Sequence, residues 1–292
     1  MDPKVLNKYS ESDVINANIN VYKKYSVSYD DTVIKLDSYK RLECLISNAI
    51  KLLSNDTEKI QALDACGGTG NAAIILNKLG CTTSLVDLSN EMIERFNIKC
   101  KKIGLSIDST VSEINTYLQT SEKSFDLIVF SSSLHHLRYP DRIMSNALKL
   151  LNPGGIIITV ADPTINVRSA SFKYMSLIDR IINHTFNDHI GLLDSVKNKI
   201  NTFFKNNKRQ NESGNNNDWL SEFYAQTGID DHALKASIIS NGGFILSHKR
   251  YTGGYTSLFQ YIYKKLKLET SFFLMVSNTE YLDPNFNYND YF

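Results

Sequence analysis

Leu63-Asp64-Ala65-Cys66-Gly67-Gly68-Thr69-Gly70 is the stretch of sequence that decides the fold. It follows a short apolar run that starts at Ile60, and it precedes a segment with helical spacing of apolar residues that stops at Gly80. This is the pattern of a strand, a tight turn and a helix. Glycines at such a turn let the backbone approach a nucleotide-like ligand, because a Cβ atom there would collide with it. The stretch therefore predicts a ligand-binding turn in an α/β fold.

The alternation of strand and helix continues beyond this turn. Thr82 to Val86 is typical of a strand, and Ile107 to Val111 is a weaker one. Phe125 to Phe130 and Ile156 to Val160 are apolar runs typical of buried parallel strands. Since alternating strands and helices build doubly wound parallel sheets, we expect an α/β protein with helices on both faces of a mostly parallel sheet.

The pattern divides the chain into four parts. We expect an N-terminal helical segment over 1–55 that covers the ligand site, and a Rossmann-like core over 56–162. The alternation breaks after Pro163, which predicts a helical lid insertion over 163–229. The C-terminal part of the sheet is expected over 230–292.

The composition indicates which kinds of binding partner and which compartment to expect. The 32 basic and 31 acidic residues give a net charge of +1, so we do not expect nucleic acid as a partner. The four cysteines lack the paired spacing of a zinc site and indicate reduced thiols, which predicts a cytoplasmic protein. The apolar run from Ile156 to Ala161 is too short to span a membrane. We expect a small-molecule partner, and we allow for a homodimer.

Two acidic residues indicate which class of ligand the glycine turn binds. Asp87 lies 17 residues beyond Gly70, which suits one βαβ step, and it can accept hydrogen bonds from ribose hydroxyls. Gly68 to Ala73 also fits the G-x-G-x-x-A form of a dinucleotide turn, so a nicotinamide-dependent oxidoreductase competes. Asp64 favours another ligand, because a carboxylate there has an electrostatic role beside a methionine ammonium or a sulfonium.

With these motifs the sequence resembles the class I S-adenosylmethionine (SAM) dependent methyltransferases of the small-molecule type. The resemblance is dense from about Ile60 to Val160 and looser to Val276. The family's acid-x-G-x-G-x-G motif matches the stretch from Asp64 to Gly70, with Cys66 in place of the first glycine. The resemblance implies a seven-stranded Rossmann-like sheet with a final antiparallel strand. It also implies SAM as cofactor and S-adenosylhomocysteine as product.

The resemblance also assigns the cofactor site. Asp87 would bind the ribose, and the adenine-edge acid would be Glu113, with Asp108 as the alternative. Ser131 and Ser132 would lie beside the methionine part. The full set of predicted cofactor residues is Tyr22, Asp64, Ala65, Cys66, Gly67, Gly68, Gly70, Asp87, Leu88, Met92, Glu113, Ile114, Ser131 and Ser132.

The candidate catalytic residues are His135 and His136, which the resemblance places at the methyl-transfer site. A neutral imidazole can take a proton from a hydroxyl or an amine, although one ring could pack in the core while the other lines the pocket. His184, Asp188 and His189 are interpreted as helical surface, and no metal site is predicted. The predicted function is methyl transfer to an oxygen, nitrogen or carbon nucleophile of a small molecule. An oxidoreductase and a non-catalytic methyltransferase-fold protein are the alternatives.

Overall fold

A seven-stranded mixed sheet forms the centre of the protein in a computed structural model, which describes residues 8–25, 38–53, 60–187, 217–225, 227–252 and 257–280. The strands are β1 (Gln61–Ala65), β2 (Thr82–Asp87), β3 (Asp108–Val111), β4 (Phe125–Ser131), β5 (Leu151–Pro163), β6 (Phe244–Tyr251) and β7 (Ser271–Ser277). Their order across the sheet is β3-β2-β1-β4-β5-β7-β6. Only β7 runs antiparallel to its neighbours, so the predicted doubly wound sheet with a final antiparallel strand is confirmed.

Helices cover both faces of the sheet. They are α1 (Glu11–Tyr25), α2 (Ser38–Leu53), α3 (Asn71–Lys78), α4 (Asn90–Ile103), α5 (Ile114–Thr120), α6 (Pro140–Lys149), α7 (Ala170–Asn187), α8 (Asp231–Ser240) and α9 (Ser257–Lys265). Short 3-10 turns occur at Leu134–His136, Ile165–Arg168 and Asn217–Glu222. Among the helices of the described residues, none combines the length and the apolar character that crossing a bilayer requires.

The strand β4 shows why the central strands are apolar throughout. Ile128 and Phe130 lie in the core cluster that contains residues of α5, α6 and α8. Leu127 and Val129 lie in the cluster that contains residues of α2 and α3. Successive side chains of a strand point to opposite faces, and here both faces are covered. The strand therefore reads as a continuous apolar run.

The chain reverses its direction across the sheet between β1 and β4. The strands β2 and β3 extend from β1 on one side, whereas β4 and β5 extend on the other. In doubly wound sheets a crevice opens at this point, beyond the carboxyl ends of the strands. The glycine turn follows β1, and the turn into Leu134–His136 follows β4, so the predicted site residues meet at this crevice.

The predicted lid, 163–229, is described in part. It contains α7 and two of the 3-10 turns, while 188–216 and residue 226 lie outside the described residues. None of the residues described in this range lines the main cavity, whereas residues of α1, in the N-terminal segment expected to cover the site, lie along one side of it. The lid and the four domain boundaries stay predictions.

Two strands form the edges of the sheet. The first, β3, has four residues and begins at Asp108, which pairs with Lys123. The second, β6, has a register irregularity between Ile245 and Ser247 and carries Lys249 near its end.

Candidate cofactor and acceptor site

A cavity of about 320 Å³ lies at the carboxyl ends of β1, β2 and β4. It is bounded by the glycine turn, by the segments after β2, β3 and β4, and by one side of α1. Twelve of the fourteen predicted cofactor residues line it: Tyr22, Asp64, Cys66, Gly67, Gly68, Asp87, Leu88, Met92, Glu113, Ile114, Ser131 and Ser132.

The other two predicted cofactor residues lie behind the wall of the cavity. Ala65 is fully buried in the core at the end of β1. Gly70 precedes α3 with a φ of 79°, and a Cβ atom there would lie 2.1 Å from the ring of Phe96. Gly70 therefore lets α4 pack against the turn, and a contact of either residue with a cofactor stays a prediction.

The glycine turn is held by backbone hydrogen bonds. The Gly67 amide donates to the Val86 carbonyl at 3.0 Å, and the Gly70 amide donates to the Gly67 carbonyl at 2.8 Å. A Cβ atom on Gly67 would lie 2.7 Å from Cγ of Asp64, so no larger residue fits. Gly68 has a φ of 54°, and an added Cβ there would meet nothing within 4 Å. The backbone at Gly68 therefore faces open space in the cavity.

Three non-glycine residues with positive φ lie on the wall of this cavity. They are Cys66 after β1 with a φ of 57°, Ser132 after β4 with 53°, and Ala161 in β5 with 66°. Ala161 lies at the register irregularity between Val160 and Asp162. The left-handed region costs a non-glycine residue on the order of 1–3 kcal/mol. Such strain clusters at functional sites, and here it coincides with the predicted cofactor site.

Asp64 is buried, faces the cavity and stabilises the turn. Its Oδ2 accepts a hydrogen bond from the Ala73 amide in the first turn of α3 at 2.8 Å. Burial raises the pKa of Asp64 to about 7; the bond from Ala73 opposes this rise, Asp87 adds to it and Lys99 opposes it. The carboxyl group is thus poised between its neutral and charged forms near neutral pH.

Asp87 connects the end of β2 to the glycine turn. Its Oδ2 accepts from the Gly68 amide at 2.8 Å, and its Oδ1 accepts from the Ser89 amide at 2.9 Å. Burial raises the pKa of Asp87, although these backbone amides and that of Leu88 favour the charged form. Each carboxylate oxygen has a second lone pair, so Asp87 can still accept bonds from a ligand.

Glu113, and not Asp108, lies at the cavity. Glu113 caps α5, since its carboxylate accepts from the amides of Asn115 at 2.8 Å and Thr116 at 2.7 Å. Asp108 lies at the other end of β3, where it pairs with Lys123 at 2.6 Å on the surface. The geometry therefore leaves Glu113 as the candidate for the adenine edge.

The two histidines after β4 have different surroundings. His135 is buried and does not line the cavity; its Nδ1 lies 2.8 Å from Oδ1 of Asp162 and its Nε2 lies 3.5 Å from Oε2 of Glu222. Burial disfavours the charged ring, but the hydrogen bond to Asp162 and the nearby carboxylate of Glu222 outweigh it and raise the pKa of His135 to about 9. A ring that already holds a proton cannot accept one.

His136 lines the cavity and is neutral. Burial, followed by the charge of His135, lowers the pKa of His136 to about 4. Its Nδ1 lies 2.5 Å from the Ser221 carbonyl, which can only accept, so Nδ1 carries the hydrogen. Its Nε2 lies 3.0 Å from the Tyr22 hydroxyl of α1. Of the two histidines, His136 is thus the one that a bound acceptor could contact.

Comparison with known proteins names the family. A family model described as "Methyltransferase domain" matches residues 39–212, which is more than half of the chain. The chain belongs to the class I SAM-dependent methyltransferases. SAM is the methyl donor of this family, and the oxidoreductase alternative finds no support.

Curated relatives of this methyltransferase match over part of their length. The tRNA 5-carboxymethoxyuridine methyltransferase of Escherichia coli (strain K12) is 30% identical over 105 residues, which is 34% of this chain and 39% of the relative. The ubiquinone biosynthesis O-methyltransferase of Rickettsia typhi is 28% identical over 145 residues, which is 49% of this chain and 55% of the relative. The chain thus spans about half or less of the length of these relatives. Because one of them is a tRNA methyltransferase, the small net charge does not exclude nucleic acid.

Solved structures share the methyltransferase fold. The plantazolicin methyltransferase BamL, solved with a triazolic desmethylPZN analogue and S-adenosylhomocysteine, gives a TM-score of 0.55 at 16% identity, covering 94% of this chain and 99% of that one. PKMT2 from Rickettsia typhi gives a TM-score of 0.51 at 17% identity, covering 87% and 55%. At these identities the likeness shows the fold alone.

The charges on the wall of this methyltransferase cavity suit SAM. The pKa of the Cys66 thiol reflects these charges. Burial raises it well above the ordinary value, and the nearby carboxylates of Asp87, Glu113, Asp64 and Asp162 raise it further. SAM carries two positive charges, on its sulfonium and ammonium groups, and one negative charge on its carboxylate. A wall lined by carboxylates therefore attracts it. A dinucleotide would place its anionic pyrophosphate against the same carboxylates. The residues present therefore fit SAM.

Sequence reasoning missed much of the remaining wall of the cavity in this methyltransferase. Its wall includes one face of α1 and several basic and aromatic side chains: Glu11, Val14, Ile15, Asn18, Ile19, Arg41, Arg138, Tyr139 and Tyr251. The spacing of three and four along α1 was a detectable signal of a buried face. No local pattern in the sequence predicts that Tyr251 lines the cavity. The guanidinium carbon of Arg41 lies 4.4 Å from the centroid of the tyrosine ring. The side chain of His184 on α7, and all of Asp188 and His189, lie outside the described residues.

Proposed function

We propose that this protein transfers the methyl group of SAM to an oxygen, nitrogen or carbon nucleophile of a small organic molecule. One observation carries the proposal: a single continuous cavity joins the acidic residues of the predicted cofactor side to the aromatic residues of α1 and the loop after β4. A methyl donor and an acceptor could therefore lie in contact within it. The volume of about 320 Å³ lies in the range of small-molecule sites.

The residues of the cofactor side have distinct proposed roles. Asp87 and Glu113 would accept hydrogen bonds from the adenosine part, and Asp64 would lie near the positive charge of the methionine part. When bound, SAM supplies a methyl group on a positively charged sulfur; the carbon–sulfur electron pair stays on sulfur when the carbon bonds to the nucleophile. The open backbone at Gly68 would allow close approach of this ligand.

The acceptor side would mainly align and desolvate the nucleophile. Its wall is largely apolar and aromatic, with Ile15, Ile19, Tyr22, Tyr139 and Tyr251 around it. Alignment and exclusion of water account for a large part of the barrier when the leaving group is already activated. An organic acceptor with an apolar or aromatic body suits such a wall better than a highly charged polymer. A nucleoside in RNA is the outcome that the acceptor assay must exclude.

Calorimetric titration with SAM and S-adenosylhomocysteine tests the cofactor half of this proposal. The variant Asp87→Asn removes the charge while keeping the shape, so we expect its affinity for both ligands to fall about 10- to 100-fold, as for the loss of one or two charge-assisted hydrogen bonds. The matched control is Asp108→Asn, which changes an exposed carboxylate at the far end of β3 and should bind like the wild type.

Two results would contradict the proposal. The first is no binding of either ligand to the wild-type protein, and the second is an equal loss in the two variants. For the acceptor half, methyl transfer from radiolabelled SAM to a panel of phenols, quinols and amines is compared with transfer to unmodified tRNA. Transfer to tRNA alone would replace the small-molecule proposal with an RNA substrate.

A further inference from the structure

Two histidines and a carboxylate lie together beside the acceptor side of the cavity. One ring nitrogen each of His135 and His136 and one carboxylate oxygen of Glu222 all lie within 4.8 Å of one another. No other group of three histidine, cysteine or acidic residues within the described ranges has this spacing. The side chain of Glu222 is 48% exposed, so an ion could reach the cluster from solvent.

The distance between His135 and Glu222 suits a shared ion. Nε2 of His135 lies 3.5 Å from Oε2 of Glu222, whereas an N–H···O hydrogen bond has its atoms about 2.7–3.2 Å apart. Zinc binds imidazole nitrogen and carboxylate oxygen at about 2.0–2.2 Å in tetrahedral geometry, which puts two ligand atoms about 3.4 Å apart. The observed separation of 3.5 Å matches the spacing of two ligands of one ion.

The far sides of both rings are anchored as metal-bound imidazoles usually are. Nδ1 of His135 bonds to Oδ1 of Asp162 at 2.8 Å, and the other oxygen of this fully buried carboxylate accepts from the Thr159 hydroxyl at 3.0 Å. Nδ1 of His136 donates to the Ser221 carbonyl. Such bonds to a carboxylate or a backbone carbonyl fix the ring orientation and assign Nε2 as the ligand atom of each ring. Nε2 of His136 lies 3.0 Å from the Tyr22 hydroxyl, and an ion would replace that contact.

We propose that His135, His136 and Glu222 bind a divalent metal ion of the zinc type. Two imidazoles and one carboxylate form a three-ligand set that zinc uses, and they leave a fourth position for water or a donor atom of the acceptor. Tyr22, whose hydroxyl lies 3.0 Å from Nε2 of His136, borders that position. The ion would also join Asn217–Glu222 to the loop after β4. An ion at Nε2 of His135 would displace the proton held there, which is released to solvent. The histidine pair predicted as catalytic then consists of metal ligands.

Titration of the metal-free full-length protein with Zn²⁺ tests this site. It is done without SAM, so its outcome does not depend on methyl transfer. We expect one Zn²⁺ per chain, and we expect Co²⁺ at the same site to give the visible absorption of a tetrahedral ion. The variant Glu222→Gln should lower the Zn²⁺ affinity at least about tenfold. The matched control is His232→Asn, an exposed histidine on α8, which should keep the full affinity.

Glu222 is half exposed and glutamine has its shape, so this variant should fold; circular dichroism checks that it does. His136→Gln is the second variant, and it should lose affinity in the same way. The site is refuted if the wild type takes up no stoichiometric Zn²⁺. It is refuted equally if Glu222→Gln and His136→Gln bind the ion as tightly as the wild type.

Discussion

Asp64 controls the charge of the cofactor side near neutral pH. Its pKa of about 7 in the folded chain compares with 3.8 for an ordinary aspartate. Between these values the folded chain holds the proton and the unfolded chain has lost it. Since the folded state then binds more protons, the contribution of Asp64 to stability falls as the pH rises through this window.

The affinity for SAM should therefore rise with pH. A cation beside Asp64 favours its charged form, so binding releases a proton, and from about pH 6 to about pH 7.5 the affinity should increase up to about eightfold. Calorimetry in two buffers with different ionisation enthalpies measures the proton released. Asp64→Asn keeps the shape but cannot ionise, so its affinity should change little over this range. An unchanged pH slope in Asp64→Asn contradicts this account.

At Cys66, a glycine variant should be more stable than an alanine variant, which reverses the usual order. Both substitutions remove the thiol, but at a φ of 57° only glycine is unstrained. We expect Cys66→Gly to be more stable than Cys66→Ala by about 1 kcal/mol in urea unfolding. At Ala236, an exposed position in α8, glycine should instead be less stable than alanine by about 1 kcal/mol. An alanine variant at Cys66 that is the more stable of the two rules out the strain.

Residues at strand ends could be predicted, because the glycines, Asp64, Asp87 and Glu113 follow apolar runs that define the strands. The positive φ of Cys66 could not be predicted, since it depends on how the turn closes against β2. The pairing of His135 with Asp162 was equally hidden. It joins residues 27 positions apart through the irregularity in β5.

At the scale of elements, Asp231 attaches α8 to β6. It is fully buried and accepts from Nε of Arg250 at 2.8 Å, from Nη2 of Arg250 at 2.6 Å and from Nε2 of His248 at 2.7 Å. Despite its burial, these bonds hold the pKa of Asp231 well below the ordinary value. Its contribution to stability is therefore present above the unfolded pKa and is lost as the pH falls through the folded one.

Two neighbouring aspartates give a matched test of this attachment. Asp231→Ala leaves Arg250 without its buried partner and should cost about 3 kcal/mol. Asp230→Ala removes the cap of α8, a bond to the Ala233 amide, and should cost about 1 kcal/mol. Urea unfolding at neutral pH measures both variants. Equal losses would mean that the buried cluster adds nothing beyond a helix cap.

The strands and most helices could be predicted from their periodicity, and an N-terminal helical segment was expected to cover the site, whereas the individual contacts of α1 could not be predicted. Its contacts with the site are distant in sequence: Asn18 donates to the His136 carbonyl at 3.2 Å, across 118 positions. Local pattern shows that a helix has a buried face but not what that face covers. For the same reason, the lid expected over 163–229 stays a prediction.

At the scale of the whole molecule, ligand binding should stabilise α1. Because α1 and the ends of β1, β2 and β4 share one cavity, a ligand there contacts both and stabilises the arrangement in which α1 is packed against the site. We expect saturating S-adenosylhomocysteine to slow amide hydrogen exchange in residues 11–25 and in the glycine turn. Exchange in α8, none of whose residues lines the cavity, should be unchanged. Slower exchange in the glycine turn alone would contradict this expectation, because it would mean that the ligand does not stabilise α1.

The two sheet edges bear on how the protein behaves at high concentration. An exposed edge can template a strand from another molecule, and native sheets resist this with short strands, bulges and charged side chains. Here β3 has only four residues and a charged Asp108–Lys123 pair at its start, while β6 combines an irregular register with Lys249 and Arg250. Both edges therefore carry protection against intermolecular strand addition. Aggregation of this protein should accordingly begin from an unfolded or partly opened state rather than from the native sheet.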